Sequence, residues 1–172
     1  MLERPGIVTA KGNPLTLIGA EVKVGDKAPD FKVIDIGQKV VTLKDISAKI
    51  KLFSVVPSLD TSVCDLQTQR FELEAASVPG DVGIFTFSMD LPFAQARYCG
   101  AHAISKLKTL SDHREASFGT AYGVLIKETR LLSRSIFIVD ENNIVRYVEY
   151  VKDISTHPDY AKALEALKQI AG

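Results

Sequence analysis

The stretch Ile50-Lys51-Leu52-Phe53-Ser54-Val55-Val56, followed by Pro57-Ser58-Leu59-Asp60-Thr61-Ser62-Val63-Cys64, decides how this chain folds. The first seven residues are mostly apolar and β-branched, the pattern of a buried strand. Pro57 cannot donate to a sheet ladder and ends it. Asp60, Thr61 or Ser62 can cap the helix that follows, predicted over residues 65–78. With Thr61 as N-cap, Cys64 falls three residues in. Backbone N–H groups there lack intrahelical partners, and the helix dipole favours negative charge. A thiol so placed ionises more readily, and the thiolate is the reactive form. Cys64 therefore reads as a nucleophile.

Outward from this turn, the spacing places one element after another. Ile7-Val8-Thr9 and Leu15-Thr16-Leu17-Ile18 flank the turn Lys11-Gly12-Asn13-Pro14, which predicts an N-terminal β-hairpin. Strands are expected over 31–36 and 40–43, with a helical turn or loop over 44–49. After the Cys64 helix, Pro79-Gly80-Asp81 leads into a strand over 82–88. Strand, helix and strand at this spacing form a right-handed βαβ unit with parallel pairing. Val63, Leu66 and Leu73 are predicted to form the buried face of its helix, opposite Thr68 and Glu72. Pro92 suits the first turn of a short helix running to about Cys99, with Gly100 as its C-cap. A short strand is expected over 108–111 and a helical turn or loop over 117–123. Residues 135–139 and 144–151 flank Asp140-Glu141-Asn142-Asn143 as an antiparallel hairpin. A last helix spans 158–171, with Pro158 in its first turn. The result is a mixed central sheet flanked by helices, with an N-terminal β-hairpin: the element order of a thioredoxin-like α/β fold. No linker or repeat divides it, so residues 1–172 read as one domain.

Composition narrows the function. Lys plus Arg and Asp plus Glu are equal at 21 each, which gives no electrostatic case for nucleic acid or an anionic membrane as partner. No apolar run reaches the length of a membrane span. Met1-Leu2-Glu3-Arg4-Pro5-Gly6 lacks the basic start and apolar core of a secretory signal, so a cytoplasmic protein is expected. Two cysteines, Cys64 and Cys99, are too few for a stapled secreted scaffold. His102, His113 and His157 are scattered without metal-ligand spacing, so neither metal nor cofactor is expected.

A reactive Cys64 needs help. The Thr61 hydroxyl lies one turn before it and can bond an oxygen at the sulfur. Pro57 fixes the turn and keeps one side of the pocket dry. The carboxylates of Asp60 and Asp65 oppose a thiolate if they point inward. A compensating cation is then required, and Arg134, which leads into the strand 135–139, is the candidate. Three alternatives stand beside this reading. Two buried structural cysteines are the commonest state of cytosolic thiols. A dithiol oxidoreductase would carry Cys-x-x-Cys, whereas Asp65-Leu66-Gln67 follow Cys64. The third is a non-catalytic binding module.

Pro57-x-x-x-Thr61-x-x-Cys64 resembles the peroxiredoxin signature. The segment Asp90-Leu91-Pro92-Phe93-Ala94-Gln95-Ala96-Arg97-Tyr98-Cys99-Gly100 resembles the resolving-cysteine region of its bacterial thiol peroxidase branch. Arg134 with Phe137-Ile138-Val139-Asp140, Gly12-Asn13-Pro14 and residues 153–160 fit the same branch, so the likeness covers essentially the whole chain. The resemblance implies Cys64 as peroxidatic cysteine, Thr61 and Arg134 as binders of the peroxide oxygens, and Pro57 as pocket shield. Cys99 is then the resolving cysteine, closing an intramolecular disulfide with Cys64. The implied substrates are hydrogen peroxide and alkyl hydroperoxides, the implied reductant is thioredoxin, and the implied assembly is a homodimer. Since the cysteines start on different helices, at least one helix end must unwind for their Cα atoms to come within about 4.4–6.8 Å.

Overall fold

The apolar run becomes strand β5 (Ile50–Val55), buried along its whole length. In the computed structural model, which describes residues 1–172, β1 (Glu3–Ala10), β2 (Asn13–Ile18), β3 (Lys32–Asp35) and β4 (Val40–Thr42) come before it. A 3-10 turn at Leu43–Asp45 separates β4 from β5. After β5 come α1 (Ser62–Ala75), β6 (Val82–Ser88), α2 (Pro92–Ala101), β7 (Lys108–Ser111) and α3 (Ser117–Ala121). The chain ends with β8 (Leu125–Ile126), β9 (Ser135–Val139), β10 (Val145–Tyr150) and α4 (Tyr160–Ala171).

Seven strands form one mixed sheet in the order β10-β9-β5-β6-β7-β3-β4, while β1, β2 and β8 form a small second sheet. The expected parallel pairing of β5 with β6 is present, as is the antiparallel β9–β10 hairpin. β1 and β2 make the N-terminal hairpin. Strand β8, two residues long and paired to β2, has no periodic signal of its own and was not predicted.

Side chains alternate across the central sheet, as a two-residue period requires. Phe53, Val55, Phe85, Phe87 and Phe137 enter one core with Phe118 and Tyr122. Phe118 lies between Phe87 and Tyr122, stacked on each at centroid distances of 3.9 and 4.3 Å. Leu52, Ile84, Ile136 and Ile138 enter the opposite core with Phe71 of α1 and Ala163 and Leu167 of α4. That second face carries α1, the helix that holds Cys64.

Three local expectations need correction. Leu66 and Leu73 do not form the buried face of α1: they are 54% and 73% exposed, while Cys64, Gln67, Thr68 and Phe71 are buried. Helix α2 does not stop at Gly100. It continues to Ala101 with His102 as C-cap, and the left-handed residue beyond is Ala103 at φ 53°. Pro158 precedes α4, whose N-cap is Asp159 accepting from the Lys162 amide. An Asp side chain satisfies a free helical N–H that Pro cannot.

Candidate active site

The carboxyl ends of β5 and β6 lead into α1, which carries Cys64 in its first turn, and α2, which carries Cys99 in its last. In an open sheet with parallel strands, the carboxyl ends are where crevices and ligand sites form. The Pro57–Leu59 turn leaving β5 is fastened to the start of the α2 segment by one carboxylate. Asp90 accepts from Ser58 Oγ at 2.7 Å, the Leu59 amide at 2.8 Å and Ser88 Oγ at 2.8 Å. Pro57 is buried beneath this turn. Thr61 takes the N-cap position with extended backbone, and Cys64 is the third residue of α1, with no exposed surface.

Arg134 reaches Cys64 because of strand register. Val55 pairs with Ser135, so the residue before Ser135 lies beside the end of β5. Ile136 and Ile138 face α1, and the two-residue period puts Arg134 on the same side. Its Nη2 donates to Cys64 Sγ at 3.2 Å and to the Ile154 carbonyl at 2.8 Å; Nε donates to that carbonyl at 3.0 Å. Nη1 donates to Gln67 Oε1 at 2.8 Å, and Gln67 in turn donates to Ser54 Oγ at 2.8 Å. Arg134 is 2% exposed and no carboxylate pairs with its guanidinium. The Cys64 sulfur is therefore the group positioned to balance its charge.

Thr61 is placed differently from Arg134. Its hydroxyl does not cap the helix and makes no hydrogen bond to Cys64; it donates to the Ser58 carbonyl at 3.1 Å and is exposed. With its proton engaged, Oγ1 offers lone pairs to an incoming O–H. Asp60 is exposed, and Asp65 turns away from the sulfur to accept from Tyr98 Oη at 2.6 Å. That bond holds the Asp65 carboxyl below its ordinary range, while burial and Asp65 push the Tyr98 phenol far up. His102 stacks on Tyr98 with centroids 4.1 Å apart.

Cys99 lies one residue after Tyr98, in the last turn of α2, half-buried. Both cysteines are free thiols. Val56, Leu59, Cys64 and Tyr98 form one apolar cluster, and Cys99 and Ile104 pack against it. Burial pushes the Cys99 thiol above its ordinary value; the Thr109 hydroxyl, 3.8 Å away, opposes this, and the Glu72 charge adds to it. On its other side Cys99 borders a groove of about 800 Å³ lined by Ile36, Val41, Phe85 and Leu107.

Sequence reasoning missed Gln67 and the Ile154 carbonyl as neighbours of the site, and it offered Tyr98 only as one of three aromatics, with Phe93 and Tyr122, that could line a pocket but are more often core. Gln67 was detectable, since i and i+3 share a helix face. The Ile154 carbonyl and the Tyr98 bond to Asp65 come from elements whose approach to Cys64 has no local signal.

Two thiols on adjacent helices over such a sheet mark the thioredoxin-like class of redox proteins. Residues 23–164 match the redoxin family model. The chain is 56% identical over 163 residues to a thiol peroxidase of Bacillus subtilis, covering 95% of this chain and 97% of that protein. It is 51% identical over 162 residues to one of Listeria innocua, at 94% and 98% coverage. A peroxiredoxin-like protein of Aquifex aeolicus superposes with a TM-score of 0.88 at 36% identity, covering 95% of this chain and 96% of that one. The chain thus belongs to the redoxin family and, within it, to the thiol peroxidases, which are thiol-dependent peroxiredoxin enzymes. A peroxide substrate and a thiol reductant follow from that membership. No helix is long and apolar enough to cross a membrane.

Proposed function

We propose that Cys64 is the peroxidatic cysteine and Cys99 the resolving cysteine of a single-domain peroxidase. The observation that carries this reading is the 3.2 Å contact from the buried Arg134 guanidinium to Cys64 Sγ at the start of α1. The Cys64 thiolate attacks one oxygen of a hydroperoxide; the S–O bond forms, the O–O bond breaks, and water or an alcohol leaves after taking a proton. The product is a sulfenic acid. Arg134 stabilises the thiolate and donates to the peroxide oxygens, and Thr61 Oγ1 accepts from the peroxide O–H. Pro57 shields the pocket. The Cys99 sulfur then attacks the sulfenic sulfur, loses its proton and expels water, closing an intramolecular disulfide. A thiol held in the protonated form by burial suits a residue that acts second.

Thioredoxin is the proposed reductant, hydrogen peroxide and alkyl hydroperoxides the substrates, a homodimer the assembly and the cytoplasm the compartment. The test is mass spectrometry of reduced protein after one equivalent of hydrogen peroxide. Wild type should form a Cys64–Cys99 disulfide, Cys99→Ser a trappable sulfenate at Cys64, and Cys64→Ser neither. Thiols that stay reduced for hours would overturn the reading. Turnover with thioredoxin and thioredoxin reductase then tests the reductant.

A further inference from the structure

For Cys99 to reach Cys64, at least one of the helix ends that hold them must leave its place, and movement of the end of α2 with its connection to β7 would bring Cys99 toward the sulfenate. The structure contains a specific restraint on that connection, and it comes from the helix that carries Cys64. Glu72, two turns beyond Cys64 on α1, accepts from three consecutive backbone amides. These are Ser105 at 2.9 Å, Lys106 at 2.9 and 3.0 Å, and Leu107 at 2.9 Å. Successive amides turned toward one anion form a small positive nest. Burial alone would push the Glu72 carboxyl up, yet the three amides outweigh it and hold it below its ordinary range. Just before the nest, the Ile104 amide donates to the Cys99 carbonyl at 2.9 Å across left-handed Ala103, closing the helix end with a Schellman bond. Release of residues 105–107 therefore frees the segment whose cap holds Cys99.

We propose that Glu72 is a latch: it is a positioning residue that holds the resolving segment in its dithiol place and so sets how long the Cys64 sulfenate survives before the disulfide closes. The proposal rests on the assignment of Cys99 as resolving cysteine. The latch carboxylate and the peroxidatic thiol share one helix, so the helix that generates the sulfenate also delays its resolution.

Rapid-quench mass spectrometry on wild type, Glu72→Gln and Glu72→Ala separates the two steps. Loss of the free Cys64 thiol reports the first and appearance of the Cys64–Cys99 disulfide the second. Both variants should consume peroxide within twofold of the wild-type rate. Closure should be faster by roughly tenfold in Glu72→Ala, the scale expected on losing hydrogen bonds to a charged group, and by less in Glu72→Gln, which keeps one acceptor oxygen. Sulfinic acid at Cys64 under excess peroxide should fall in proportion, because closure competes with over-oxidation. Hydrogen exchange at the amides of 105–107 should quicken in both variants. An effect of Glu72's charge on the Cys99 thiol alone would leave that exchange unchanged. Closure at the wild-type rate or slower, or slowing of both steps together, overturns the latch. If wild type itself forms no Cys64–Cys99 disulfide, the assignment of Cys99 falls instead.

Discussion

Replacing Arg134 by Met removes a buried cation while keeping an unbranched apolar stem of similar reach. Four hydrogen bonds of 2.8 to 3.2 Å disappear, one of them to the Cys64 sulfur. Loss of one preorganised donor at a reacting centre costs on the order of 10²–10³ in rate, or about 3–4 kcal/mol of barrier. The second-order rate constant with hydrogen peroxide should fall by that factor. Stability responds separately. The Gln67 and Ile154 oxygens lose their donor, at about 1–3 kcal/mol each, and removal of the desolvated charge offsets part of it. A net loss of about 2–4 kcal/mol corresponds to roughly 5–15 °C in melting temperature for a chain of this size. Arg134→Lys keeps the charge but not the fork that serves Gln67, Ile154 and Cys64 together, and should lose roughly tenfold in rate. Competition for hydrogen peroxide against a reporter peroxidase gives the rate, and a thermal melt gives the stability. A folded Arg134→Met protein reacting within threefold of wild type would refute the proposed role of the guanidinium.

Three further outcomes follow from the structure. Burial pushes the Asp112 carboxyl up to about 6, against bonds from the Phe118 and Gly119 amides. Between about pH 4 and 6 the native state then holds a proton that the unfolded chain has released, so this group's contribution to stability falls as pH rises. Urea unfolding should show wild type losing about 3 kcal/mol relative to Asp112→Asn across that window, with no further change above it; a rising difference contradicts the assignment. Ala103→Gly relieves a left-handed alanine, partly offset by glycine's extra freedom when unfolded. The dithiol protein should gain about 0.5–1 kcal/mol and close its disulfide about twofold to fivefold more slowly, read by the same quenched mass spectrometry; faster closure would count against a strained cap. Tyr98→Phe removes the 2.6 Å bond to Asp65 that ties α2 to α1. It should lower stability by about 1–2 kcal/mol, and an unchanged denaturation midpoint would show that the bond contributes nothing.

Much of this protein is legible locally. A β-branched run ending in proline and two hairpin turns specify their elements through residues adjacent in the chain, and those strands form where expected. The helix after Pro57 spans Ser62–Ala75 rather than 65–78, with Thr61 at the N-cap position but its hydroxyl bonded to the Ser58 carbonyl. The motif Pro57-x-x-x-Thr61-x-x-Cys64 likewise places the thiol at a helix start, because caps and breakers act within one turn. The buried face of α1 departs from hydrophobic periodicity for a physical reason. Cys64, Gln67 and Thr68 are turned inward by the site and by bonds to Arg134, Ser54 and the Cys64 carbonyl, while Leu66 and Leu73 face outward. Hydrophobic periodicity fails where a helix buries its chemistry rather than its leucines.

The sequence by itself therefore determined the βαβ frame and the helix start beneath Cys64, both set by short-range backbone preferences, while the pairing of Cys64 with Cys99 came from the family resemblance. Only the tertiary structure decided what surrounds the sulfur. Arg134 lies 70 residues from Cys64, and it arrives through the pairing of Val55 with Ser135 and the two-residue alternation of β9. Tyr98, the Ile154 carbonyl and the Glu72 bonds to residues 105–107 arrive through helix and loop packing. Strand register and helix packing are fixed by the whole core at once, so no local window of sequence contains them.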